Sequence, residues 1–207
     1  MYRRGSQRIP VKGLSMSISY YDANAEAYFR DTVDADVGSL RERFLAHVLP
    51  GGHILDAGCG SGRDARAFAE AGYRVTAFDA SAEMVKLAAA HTGLDVKVMA
   101  FGDIECIEEF DGIWTCATLL HVPRAELDAT FGRFAQALKR GGAWYLSVKH
   151  GTGDRVVGGR TFTDMIEGEM QDRLEAAALT LADLWVTDDV RPGRADRWVN
   201  AVAVRNG

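Results

Sequence analysis

From His53 to Val148 the chain alternates short apolar runs with helical patterns, which restricts it to a small set of folds. Parallel neighbouring strands need a crossover of a dozen or more residues, usually a helix, so this rhythm predicts a parallel sheet covered by helices. His53-Ile54-Leu55-Asp56-Ala57 reads as the first strand, after the turn Pro50-Gly51-Gly52. A helix over 64–71 follows, then a strand over 74–78 ending at Asp79. Ser81 is a good N-cap for a helix over 83–91, with Gly93 beyond its end. Strands are expected over 96–99, 112–116 and 143–148, with a helix over 124–139 before the last of these. A helix over 163–177 and strands over 180–186 and 197–204 complete a doubly wound, seven-stranded, mostly parallel sheet. Ahead of it, 22–30 and 36–47 read as helices. The connection between strands five and seven is short, which leaves mainly the N-terminal helices and the loops after strands four and five to build an acceptor site.

The strongest chemical signal is the turn Asp56-Ala57-Gly58-Cys59-Gly60-Ser61-Gly62 between the first strand and its helix. Glycines let the backbone turn tightly and approach a ligand with no Cβ in the way. The helix that follows directs free N–H groups and a positive dipole end toward the same place. Asp79, at the carboxyl end of the second strand, is placed to accept hydrogen bonds from both hydroxyls of a ribose. Strand, turn, helix, strand and terminal acid in this order point to a nucleoside site. A dinucleotide fingerprint spaces its glycines G-x-G-x-x-G, whereas here they alternate, with Asp56 in front and Arg63 behind.

Composition narrows the function classes. A net charge of −5 argues against the broad basic footprint of a nucleic-acid binder. No apolar stretch approaches the roughly 18 residues of a membrane helix. Three cysteines, Cys59, Cys106 and Cys116, are an odd set without metal-type spacing and fit a reducing, cytoplasmic setting. Residues 1–17 open with Arg3, Arg4, Arg8 and Lys12 and no acid, and are expected to be a disordered basic arm ahead of a single domain over 18–207. Met16 is an alternative start.

The turn resembles motif I of the class I S-adenosylmethionine-dependent methyltransferases, and the likeness runs over roughly 20–204. Asp79 matches that family's ribose-binding acid. Gly102-Asp103-Ile104 is similar to the segment after strand three that faces the adenine. Phe110-Asp111-Gly112-Ile113-Trp114 with Leu119-Leu120-His121-Val122-Pro123 looks like the fourth-strand motif and its loop, and Leu138-Lys139-Arg140-Gly141-Gly142 like the turn into strand five. Tyr20-Tyr21-Asp22 with Tyr28 resembles the N-terminal helix that lies over the cofactor in small-molecule members. Gly-Ser-Gly-Arg-Asp, Leu-Leu-His-Val-Pro and a terminal Trp-Val-Asn are together similar to a tellurite-resistance-like subgroup.

The resemblance implies a Rossmann-like fold, S-adenosylmethionine as cofactor and a set of roles. Asp56, Gly58, Cys59 and Gly60 would form the turn against the methionine portion, with Arg63 or Tyr28 on its carboxylate and Tyr20 on the covering helix. Ala80 and Met84 would flank the adenine, and Gly102, Asp103 and Ile104 would address its edge. Backbone at Cys116 and Ala117 would line the transferring methyl. The acceptor implied is a small molecule: a thiol, an amine or a metalloid oxyanion such as tellurite. No Asn-Pro-Pro-Tyr-type element follows strand four, which, with the acidic charge, argues against a nucleic-acid acceptor.

On the acceptor side, His121 is the candidate general base, against the alternative of a loop histidine capping backbone or packing beside Pro123. Cys116 reads as a small buried side chain rather than a nucleophile. Lys149, His150 and Arg160 either meet an anionic acceptor or form a solvated loop. Trp198 reads as core, or as a wall of a pocket with Tyr20, Tyr21 and Tyr145. Two other functions compete: a non-catalytic S-adenosylmethionine-binding protein, and a nicotinamide-dependent oxidoreductase, which the glycine spacing disfavours.

Overall fold

The computed structural model describes residues 12–191 and 193–207. Two helices come first, α1 (Lys12–Thr32) and α2 (Gly38–Leu45). Five strands and three helices alternate next: β1 (His53–Ala57), α3 (Arg63–Glu70), β2 (Arg74–Asp79), α4 (Ala82–Thr92), β3 (Lys97–Val98), β4 (Phe110–Thr115), α5 (Leu127–Ala137) and β5 (Leu138–Lys149). A hairpin, β6 (Gly153–Val157) and β7 (Arg160–Asp164), leads into α6 (Glu167–Ala176) and the closing pair β8 (Leu179–Asp188) and β9 (Arg197–Arg205). The main sheet has the order β3-β2-β1-β4-β5-β9-β8, with β9 alone running against its neighbours. The expected seven-stranded, mostly parallel, doubly wound sheet is therefore the observed one.

Successive strand residues point to opposite faces, and the sequence uses this to fill two cores. Ile54, Trp114, Tyr145 and Val202 face α2 and α3, where Phe44 and Phe68 meet the Trp114 indole at 5.3 and 5.4 Å between ring centres. Their neighbours Leu55, Ile113, Trp144 and Ala203 face α5 and α6, packing on Phe131, Phe134 and Leu174. Among the described residues no helix is long and apolar enough to cross a membrane.

Three expectations need correction. The arm over 1–17 stops short, because 12–17 are the opening turns of α1; Ser17 is buried and takes a hydrogen bond from the Thr161 amide at 3.1 Å. Residues 1–11 lie outside the described residues. The helix expected from 163 begins instead at Glu167, since Arg160–Asp164 pairs with Gly153–Val157 as a hairpin around Gly158-Gly159. The connection after β5 is thus a structured cap rather than a short loop. Arg124 holds it down, donating to the carbonyls of Gly153 and Asp164 and to Asp154, and also pairing with Glu169 of α6.

Candidate functional site

The carboxyl ends of β1, β2, β4 and β5 open into a cavity of about 340 Å³, covered by α1, the β6–β7 hairpin and the segment between β8 and β9. Crevices at the carboxyl ends of parallel strands are where such sheets bind ligands. At its floor, the amides of Gly58 and Cys59 both donate to the Phe78 carbonyl at 2.9 Å, which folds the glycine turn over the end of β2. Gly58 has a φ of 76°, and a Cβ there would lie 2.1 Å from Thr118 Oγ1. Only glycine fits between β1 and the segment after β4. Asp79 closes the same end: its two carboxylate oxygens accept from the amides of Gly60 and Ser81, each at 2.9 Å. Burial pushes its pKa up while these backbone donors pull it down.

Behind the turn lies a charged cluster. Asp64, in the first turn of α3, accepts from Arg41 at 2.8 Å, from Arg63 at 2.7 and 3.1 Å and from the Trp114 indole at 3.0 Å. Burial alone would raise its pKa; Arg63 and Arg41 outweigh it and hold the carboxyl below the usual range. Two guanidiniums against one carboxylate leave a net positive charge beside the cavity. Asp56 is the opposite case. Its Oδ2 is buried with no hydrogen-bond partner among the described residues, and burial together with the nearby Asp64 charge pushes its pKa well up. An orphaned carboxylate oxygen lining a cavity asks for a cationic or donor group of a ligand.

The roof comes from α1, whose helical geometry breaks at Asn24 as its side-chain amide donates to the Tyr20 carbonyl at 2.8 Å. Asp22 ties this helix to the start of α4 by accepting from Ser81 Oγ at 2.6 Å. Tyr20, Tyr21 and Tyr28 then face the cavity, Tyr21 meeting Tyr28 edge-on at 4.9 Å. His121 sits in the turn Leu119–His121 after β4 and is buried. Its Nδ1 lies 2.7 Å from the Thr161 carbonyl and its Nε2 2.8 Å from the Tyr21 hydroxyl. A carbonyl can only accept, so Nδ1 carries the proton and Nε2 receives the Tyr21 O–H. Burial, with the charges of Arg160 and Lys149, lowers the His121 pKa to about 4, so the ring is neutral at pH 7.

Most of the anticipated residues converge here: Tyr20, Tyr28, Asp56, Gly58, Cys59, Gly60, Arg63, Asp79, Ala80, Met84, Cys116 and Ala117 all line the cavity, as does His121. Ala117 has a φ of 55°, a left-handed conformation at the end of β4, braced by its amide donating to Ser147 Oγ at 2.8 Å. Cys116 is a neutral thiol, its pKa pushed up to about 11 by burial and the Asp64 charge. Gly102, Asp103 and Ile104 lie outside the lining. Asp103 turns back to accept from the Ala100 amide at 2.9 Å, and Ile104 is buried in the core, so Met99, Ala100 and Phe101 line the cavity instead.

Tyr145 is also not a wall: it stacks on Trp114 at 3.9 Å inside the core and its hydroxyl donates to Asn200. Trp198, expected in the core, lines the cavity and donates to Asp189 at 3.3 Å. His150 lies outside the lining and pairs with Glu167 at 3.2 Å. Sequence reasoning missed Ser17 and Phe162, both in the lining and both dependent on the hairpin. The one available signal was the Gly158-Gly159 pair between two β-type runs.

Residues 54–142 match the family model of a methyltransferase domain. The ubiquinone biosynthesis O-methyltransferase of Xanthomonas campestris is 35% identical over 112 residues, covering 51% of this chain and 46% of that protein. The chain thus spans about half the length of the curated relatives it matches. Among solved structures, the 1,6-didemethyltoxoflavin-N1-methyltransferase of Burkholderia thailandensis, with bound 1,6-didemethyltoxoflavin and S-adenosylhomocysteine, superposes with a TM-score of 0.79 at 22% identity, over 99% of this chain and 94% of that one. A TehB-like S-adenosylmethionine-dependent methyltransferase from Corynebacterium glutamicum gives 0.69 at 18% identity, over 91% and 100%. The fold is the Rossmann-like methyltransferase fold.

Proposed function

We propose that the protein transfers the methyl group of S-adenosylmethionine to a small-molecule acceptor. The observation that carries this reading is the orphaned Asp56 carboxylate oxygen, buried on the cavity side of a glycine turn that Asp79 closes. The methyltransferase-domain match supports it. S-adenosylmethionine supplies a methyl already activated on a sulfonium, so the protein chiefly has to align acceptor, carbon and sulfur. Asp56 holds the ammonium of its methionine portion, and the net positive Arg41–Asp64–Arg63 cluster faces the carboxylate. Asp79, oriented by two backbone donors, receives the ribose hydroxyls with the lone pairs left free. Tyr28 and Met84 give the apolar contacts around them.

Tyr21 and His121 do the proton work if the attacking atom carries a proton. The Tyr21 oxygen takes it while its own proton passes to Nε2 of His121, whose other nitrogen is fixed by Thr161. The cavity, a few hundred Å³ in size, suits a small acceptor.

Calorimetry with S-adenosylhomocysteine tests the cofactor assignment. Asp79→Ala is expected to weaken binding about tenfold to hundredfold, the loss of one or two charge-assisted hydrogen bonds. Asp79→Asn, which keeps an acceptor for the Gly60 amide, separates lost ligand contacts from a loosened turn. Unchanged affinity in both variants contradicts the assignment.

A further inference from the structure

We propose that the acceptor end of the cavity is a carboxylate subsite, with Arg160 holding the anionic group of a small organic acid. This rests on the methyl-transfer reading above and names the chemical class of its acceptor. The other cations lining the cavity each have a carboxylate partner: Arg63 has Asp64, Lys149 has Asp196 at 2.6 Å, Arg191 has Asp189 at 2.6 Å and Arg194 has Asp31 at 3.6 Å. Among the described residues Arg160 has none, and its Nε is buried without a hydrogen-bond partner. A guanidinium has five donors in a planar fork that matches a carboxylate, so a half-buried one with an unpaired Nε and no carboxylate beside it calls for an anion.

The surroundings select an organic anion. The Arg160 guanidinium stacks over Tyr20 at 4.4 Å and Phe162 at 5.1 Å from the ring centres, so apolar faces flank the positive charge. A hydrated inorganic oxyanion gains nothing from those faces, whereas the flat body of an aromatic or unsaturated acid packs on them. The subsite also abuts the proton-accepting pair. Arg160 precedes Thr161, whose carbonyl fixes His121, and the Tyr20 ring on which it stacks meets Tyr21 edge-on at 5.5 Å. The anion therefore anchors the acceptor where its nucleophilic atom reaches Tyr21. Its negative charge offsets the cation that weakens His121 as a base, so binding and proton transfer reinforce each other.

The test uses protein saturated with S-adenosylhomocysteine and three probes: benzoate, its neutral isostere benzamide, and sulfate. Benzoate is expected to raise Tm, with benzamide and sulfate giving much smaller shifts. In Arg160→Gln the benzoate affinity should fall about tenfold or more, Arg160→Lys should keep part of it, and S-adenosylhomocysteine affinity should stay at the parent value. Equal shifts from benzoate and benzamide, a larger shift from sulfate, no shift from any probe, or an unchanged benzoate affinity in Arg160→Gln would each overturn the subsite. The parent comparison decides the matter even if the glutamine variant does not fold. A parent that cannot be loaded with S-adenosylhomocysteine instead counts against the methyl-transfer reading itself.

Discussion

Gly58→Ala is expected to abolish measurable S-adenosylhomocysteine binding and to lower the stability of the fold. A methyl group at this position would lie 2.1 Å from Thr118 Oγ1 and 2.9 Å from Thr118 Cβ, well inside contact distance. The backbone φ of 76° adds the cost of a left-handed conformation, about 1–2 kcal/mol for a residue with a Cβ. Forced overlap in a packed site adds about 1–3 kcal/mol more. The turn can relieve both only by moving away from β4, and that displaces the Cys59 and Gly60 amides and the Asp79 contact together. The double variant Gly58→Ala with Thr118→Gly removes every overlapping atom and should recover the steric part while leaving the backbone part. Calorimetry and urea denaturation of the pair separate the two. Parent-like binding in the single variant would mean that the turn does not pack as described.

The largest stability loss is expected at Asp64→Ala. The carboxylate is 7% exposed and receives two guanidiniums and the Trp114 indole N–H. Removing one partner of a buried ion pair costs about 3–5 kcal/mol, because the remaining charge stays buried without compensation. Here Arg41 and Arg63 repel each other once it is gone, and α2 separates from α3. Asp64→Asn should fall between parent and alanine, since it keeps an acceptor without the charge. The pH dependence has a definite sign. The native pKa lies below the unfolded value of about 3.9, so the contribution is complete above that value and fades as pH falls through the lower native one. Urea midpoints measured from pH 6 down to pH 3 should therefore converge for parent and Asp64→Asn at the acid end. Parallel curves would show that Asp64 is not held ionised by the arginines.

How much of this the sequence disclosed depended on the range of the interactions involved. β1 over His53–Ala57 and the Ser81 cap, which accepts from the Met84 amide at 3.2 Å, are local features and were readable residue by residue. The glycine turn and Asp79 were readable because their spacing is itself the geometry. The β6–β7 hairpin was not, because Gly153–Val157 is largely exposed and lacks the apolar alternation that marks a half-buried strand. With the hairpin went Phe162, and with it the reason Arg160 lines the cavity rather than a solvated loop. Tyr145 and Trp198 exchanged roles for a related cause. Which face of a strand is core depends on its partners, and Tyr145 pairs with Val202 whereas Trp198 pairs with Lys149 at the open end of the sheet. Asp103 kept its carboxylate for its own turn, a local competition that spacing alone does not reveal.

The central claim, methyl transfer to a small molecule, is tested most directly by incubating the protein with methyl-labelled S-adenosylmethionine and a deproteinised metabolite extract. Label is expected in one or a few low-molecular-weight products, with none formed by Gly58→Ala. Tight S-adenosylhomocysteine binding by the parent with no labelled small-molecule product would contradict it.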